Sequence, residues 1–139
     1  GMDMIQVIYG KKGSGKTKRL LDMANDALKV EHGDIVFVDD DKRYMYDLRH
    51  EIRFVDASEY SVKSADMFLG FLSGMLSQNF DVTAIFIDAF MKMVNADVST
   101  LGDFFAQLDT LAEKRNLRFV ISLSGDPDTM PEFMKKYVI

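Results

Sequence analysis

The chain has 139 residues, enough for one domain with a buried core but short for an enzyme with a separate substrate lobe. Its 22 acidic residues outnumber 17 basic ones, and the resulting net charge of −5 disfavours a general nucleic-acid-binding surface. With no cysteine there are no disulfides, thiolate metal sites or cysteine catalysis; with no 18-residue apolar run and no signal-peptide pattern, no membrane association is expected and the protein reads as cytoplasmic.

The first predicted element is a short apolar strand carrying Ile5, Val7 and Ile8. Directly after it comes Gly10-Lys11-Lys12-Gly13-Ser14-Gly15-Lys16-Thr17, which fits G-x-x-x-x-G-K-[ST] at every fixed position. The glycines let the backbone curl so that successive N–H groups converge on a polyphosphate. The N-terminus of the following helix adds partial positive charge. Lys16 is then placed to reach the β- and γ-phosphates, and the Thr17 hydroxyl to ligate Mg²⁺. Lys18 completes the nucleotide-binding candidates, residues 10–18.

The helix predicted from Lys16 to Val30 buries Leu20, Ala24, Ala27 and Leu28 and stops at Gly33. Ile35-Val36-Phe37-Val38 is a continuous apolar strand, as expected when both faces are covered. The polar stretch from Asp39 to His50 holds a short helix with Tyr44, Met45 and Leu48 inward, and residues 52–55 form a weaker edge strand. Ser64 caps a second long helix whose apolar face reads Met67, Phe68, Phe71, Leu72, Met75 and Leu76. Gly70 and Gly74 lie one turn apart and invite close approach by another element. Residues 83–87 are the next buried strand, and Thr100 with Asp103 forms a capping box for a third helix ending near Asn116. Residues 119–123 make the last strand, and Asp128 or Thr129 caps a terminal helix with Pro131 in its first turn. Alternating strands and helices of this kind predict an α/β fold, three layers deep, with a mainly parallel sheet of about five strands in a single nucleotide-binding domain over residues 2–139.

A second constellation is Ile85-Phe86-Ile87-Asp88, an apolar run closed by a carboxylate. Ligands of α/β sheets collect at the C-terminal strand edge, where the phosphate loop also sits, so Asp88 is expected to hold the shell of the Mg²⁺ that Thr17 contacts. His32 and His50 stand apart from other ligand types and read as surface histidines.

With the loop at residues 10–17 and the strand carboxylate at 85–88, the chain resembles the P-loop NTPase superfamily, and within it a reduced RecA-like ATPase core. It is also similar to small bacterial ATP-binding proteins sometimes labelled twitching-motility ATPases. The resemblance implies ATP or ADP as ligand with Mg²⁺. Related ATPases polarise the attacking water with a glutamate, often next after the strand Asp; here that position is Ala89. Other members carry the carboxylate at the end of the neighbouring strand, where this chain has Asp39, Asp40 and Asp41, which otherwise read as a solvated turn. Lys16, Asp39 and Asp40 are thus the catalytic candidates. Ser122 and Ser124 stand where the family places a γ-phosphate sensor, or else simply precede a β-turn at Asp126-Pro127. Six arginines (Arg19, Arg43, Arg49, Arg53, Arg115 and Arg118) are scattered, and none is marked as a catalytic finger.

The function expected is Mg²⁺-dependent ATP binding with slow or partner-activated hydrolysis, in a nucleotide-dependent switch or assembly factor. The partner is an unidentified protein or a second copy of the chain. No Asn-Lys-x-Asp guanine-reading motif is present, which disfavours GTP. The alternatives are a small-molecule kinase, which needs an acceptor lid, and a partner-binding module with a degenerate nucleotide site.

Overall fold

The computed structural model describes residues 4–139. Five parallel strands lie in the order β1-β5-β4-β2-β3: β1 (Ile5–Gly10), β2 (Asp34–Asp39), β3 (Arg53–Asp56), β4 (Val82–Ile87) and β5 (Arg118–Ser124). Four α-helices connect them: α1 (Lys16–Ala27), α2 (Ala65–Gln78), the short α3 (Phe90–Met93) and α4 (Gly102–Arg115). The parallel sheet and its helical crossovers bear out the α/β class and the strand count. Among the described residues no helix is long and apolar enough to cross a membrane.

The three layers follow from alternation along the strands. Ile35 and Phe37 point to the face covered by α1, where they meet Leu20, Leu21, Ala24 and Ala27. Val36, Val38, Ile85 and Ile87 point to the opposite face, beneath Phe68 and Leu72 of α2 and Phe104, Phe105 and Leu108 of α4. Because helices cover both faces, the central strands are predominantly apolar. On the α2–α4 side, Phe68, Phe90 and Phe104 form a cluster of edge-on and tilted rings with centroids 4.9–6.3 Å apart. The free edge of β1 is covered by residues 137–139: Val7 N donates to the Tyr137 carbonyl at 2.9 Å, and Ile139 N donates to the Val7 carbonyl at 3.0 Å.

Several local expectations are corrected. α1 ends at Ala27, well short of Gly33, and Leu28 is only half-buried. The backbone leaves the helix in tight turns as Lys29 N and Val30 N donate to the Asp26 and Ala27 carbonyls. Met67 lies 47 % exposed, and the space over Gly70 and Gly74 is open, so no element among the described residues packs on that side of α2. Thr100 caps no helix; its hydroxyl donates to the Asp97 carbonyl, and α4 starts without a side-chain cap. The expected terminal helix is two 3₁₀ turns, Pro127–Thr129 and Glu132–Met134, and the first is capped by Asp126. Ser64 does cap α2, accepting from Met67 N at 3.1 Å.

Candidate functional site

Parallel crossovers bring the C-terminal ends of β1, β2, β4 and β5 to one sheet edge, and every sequence-selected site residue lies there. The loop after β1 needs glycine at two points. Gly13 and Gly15 adopt φ of +81° and +83°, a left-handed conformation costly for residues with a Cβ. Gly15 turns the chain directly into α1, so Lys16, Thr17 and Lys18 form its first turn at the positive end of the helix. Lys16 Nζ donates to the Lys11 carbonyl at 2.8 Å, across the mouth of the loop. Burial pushes the Lys16 ammonium below its ordinary pKa, against the pull of Asp88.

Asp88, only 5 % exposed, follows β4 and is clamped on both oxygens. Thr17 Oγ1 donates to Asp88 Oδ2 at 3.0 Å, and Ser122 Oγ donates to Asp88 Oδ1 at 2.5 Å. Ser122 sits at that point because β5 intervenes between the loop-bearing strand and the carboxylate-bearing strand. Ser124, one residue pair farther along, is exposed and makes no hydrogen bond with Asp88, but it lines the same cavity.

The Asp39–Asp41 run is not a uniformly solvated turn. Asp39 ends β2, beside β4, and is 1 % exposed. Its Oδ1 accepts from Asp40 N at 2.8 Å, while its Oδ2 is buried without a hydrogen-bond partner. Desolvation pushes the Asp39 carboxyl up to about 8, with the nearby Asp88 and Asp40 charges adding to the rise. Asp40 and Asp41 are half-exposed, and one carboxylate oxygen from each of the three residues falls within 4.8 Å of the others.

These groups border a cavity of about 540 Å³. Its oxygen donors (the Thr17 hydroxyl, Asp88 and the orphaned Asp39 Oδ2) form the hard set that Mg²⁺ prefers, and a buried, unpartnered carboxylate oxygen is a fit for a cation. Arg43, Tyr44 and Lys92 also line the cavity and were not among the sequence candidates. Arg43 and Tyr44 follow β2, so the strand-edge rule pointed to their loop without selecting a side chain. Lys92 arrives through α3, a four-residue helix too short for a periodic signal. Its entry residue Ala89, where a water-polarising glutamate was sought, has φ of +57°, uncommon for a residue with a Cβ.

No protein-family model matches the chain, and no curated protein sequence matches it. Among solved structures the chain is similar to the flagellar accessory protein FlaH from Methanocaldococcus jannaschii, with 14 % identity and a TM-score of 0.46. The match covers 94 % of this chain, which spans 64 % of that protein's length.

Proposed function

We propose that the chain is a Mg²⁺-dependent ATP-binding protein with slow intrinsic hydrolysis, acting as a nucleotide-dependent switch or assembly factor. The observation that carries this reading is the link from the phosphate loop to the strand carboxylate, Thr17 to Asp88 to Ser122, beneath a loop that meets every fixed motif position. Loop N–H groups and the α1 N-terminus suit the phosphate oxygens, and Lys16 suits the β/γ pair. Thr17 and Asp88 would hold Mg²⁺, which when bound neutralises charge on the transferring phosphate. Asp39 is the proton acceptor favoured for the attacking water, because its Oδ2 is buried beside the cavity with no donor competing for it. Ala89 offers no carboxylate, and turnover by the chain alone is therefore slow.

The decisive experiment is a thermal-shift panel of ATP, ADP, GTP and inorganic triphosphate with and without Mg²⁺, followed by phosphate release. Ligand at about 100 Kd stabilises by roughly 2.7 kcal/mol, so a true ligand is plainly detected. A panel in which no nucleotide shifts the transition overturns the reading.

A further inference from the structure

Three consecutive carboxylates crowd the turn after β2. One oxygen each from Asp39, Asp40 and Asp41 lies within 4.8 Å of the other two. Oxygens bound to one ion stand at most twice the metal–oxygen distance apart, about 4 Å for Mg²⁺ and about 5 Å for Ca²⁺. The cluster therefore has the span of a single hard cation. Crowding alone is not a site, because acidic turns on a surface gather carboxylates without any ion.

Asp39 makes the difference. It closes β2, an interior strand between β3 and β4, and is 1 % exposed. Its Oδ1 accepts from Asp40 N at 2.8 Å, which fixes how the carboxylate sits. Its Oδ2 is buried with no hydrogen-bond partner, although it belongs to a side chain lining the cavity. A carboxylate oxygen that has lost its water without gaining a donor is costly, and a cation removes that cost.

The two neighbours supply the rest of the shell. Asp40 and Asp41 are half-exposed and line the same cavity, so water has access to complete the coordination. Asp41 Oδ1 accepts from Arg43 N at 2.9 Å, and its Oδ2 faces the Arg43 guanidinium at 3.3 Å. Each carboxylate oxygen keeps a further lone pair, and an exposed ion pair of this kind holds its partners only weakly. Asp88 is not a member of the cluster, and its two oxygens already accept from Thr17 and Ser122.

We propose that the turn after β2 binds a hard divalent cation of its own, through Asp39 Oδ2 and the carboxylates of Asp40 and Asp41. This ion is separate from the one assigned to Thr17 and Asp88, and it needs no nucleotide phosphate to complete its shell. Asp39 Oδ2 serves one role at a time. On the reading in which it accepts a proton from water, it can do so only while the cation is off, so the site is a brake on turnover.

The test is titration of the nucleotide-free full chain with Mn²⁺, followed by the paramagnetic resonance signal of the unbound ion. The parent should take up Mn²⁺ saturably. Asp39→Asn places an NH₂ donor where a ligand oxygen is needed, yet keeps the oxygen that accepts from Asp40 N; Mn²⁺ affinity should fall about tenfold or more. Asp40→Asn/Asp41→Asn, at half-exposed positions, should weaken Mn²⁺ at least as much. Asp88→Asn should lose far less, and so should Asp103→Asn/Glu113→Gln, which removes two charges from the exposed face of α4. Circular dichroism spectra matching the parent's establish each fold. No uptake by the parent, parental affinity in a folded turn variant, or an equal loss in the α4 variant would overturn the site. A loss confined to Asp88→Asn would overturn it as well, by giving the ion to Thr17 and Asp88. The titration contains no nucleotide, so its failure leaves the ATP-binding reading untouched.

Discussion

Thr17 and Asp88, 71 positions apart in the chain, meet through a 3.0 Å hydrogen bond from the threonine hydroxyl to Asp88 Oδ2. Ser122 occupies the other oxygen, so a nearly buried carboxylate is held in one orientation between the first turn of α1 and the strand that separates β1 from β4. The arrangement locks the first turn of α1 to the sheet, and it also presents the oxygen pair to which we assign the metal.

Asp88→Asn tests that assignment. The amide keeps the shape but has one acceptor oxygen in place of two, so one hydroxyl loses its acceptor and meets an NH₂ donor instead, at a cost of about 1–2 kcal/mol in stability. ATP affinity measured with Mg²⁺ should fall more than affinity measured in EDTA. Equal loss in both conditions would make Asp88 a structural clamp only.

Lys16→Ala should lower ATP affinity by at least about tenfold, because it removes the ammonium assigned to the β/γ-phosphates. The side chain is only half-buried and its one hydrogen bond among the described residues is to the Lys11 carbonyl, so the unfolding transition of the free protein should move little. Unchanged ATP affinity in a folded variant would sink the loop assignment.

Asp39 should give stability an inverse dependence on pH. Folding raises its pKa from 3.8 to about 8, so between these values the native state holds a proton that the unfolded chain has released. Native stability therefore falls as pH rises through that window. Asp39→Asn stays neutral and removes this slope: in metal-free urea titrations the variant should gain on the parent from pH 5 to pH 9, by on the order of a few kcal/mol at the upper end. Parallel pH dependences in the two proteins would show that Asp39 ionises as freely folded as unfolded.

Steady-state phosphate release should be slow, well below the roughly 1–100 s⁻¹ of kinases. Acid–base assistance contributes about 10²–10⁴-fold, so Asp39→Asn should abolish most of the residual rate while retaining ATP binding, and Asp40→Asn should reduce it less. A fast rate in the unaccompanied parent, or an Asp39→Asn variant with parental turnover, would place the catalytic carboxylate elsewhere.

Local pattern was enough for most of the fold. The apolar runs around Ile35–Val38, Ile85–Ile87 and Phe119–Leu123 announced buried parallel strands, since a strand covered on both faces has no polar alternation to obscure it. Gly13, Gly15, Lys16 and Thr17 were legible because the loop is contiguous and its backbone demands are local. Ser64 was legible as a cap for the same reason, whereas Thr100 failed because its hydroxyl found the Asp97 carbonyl before a helix N–H.

Tertiary structure decided what depends on strand order. The sequence offered a run of three carboxylates and selected Asp39 and Asp40 without ranking them, and only the position of β2 beside β4 buries Asp39 and leaves its neighbours half-exposed. Likewise Ser122 and Ser124 were indistinguishable until β5 came to lie between β1 and β4, placing Ser122 against Asp88 and Ser124 at the exposed end of the strand. Arg43 reaches the cavity through the loop after β2 and Lys92 through α3, segments that meet in space but not in sequence. Hydrogen bonding along one segment is written in neighbouring residues; burial and the pairing of distant carboxylates and hydroxyls arise only when the strands have chosen their neighbours.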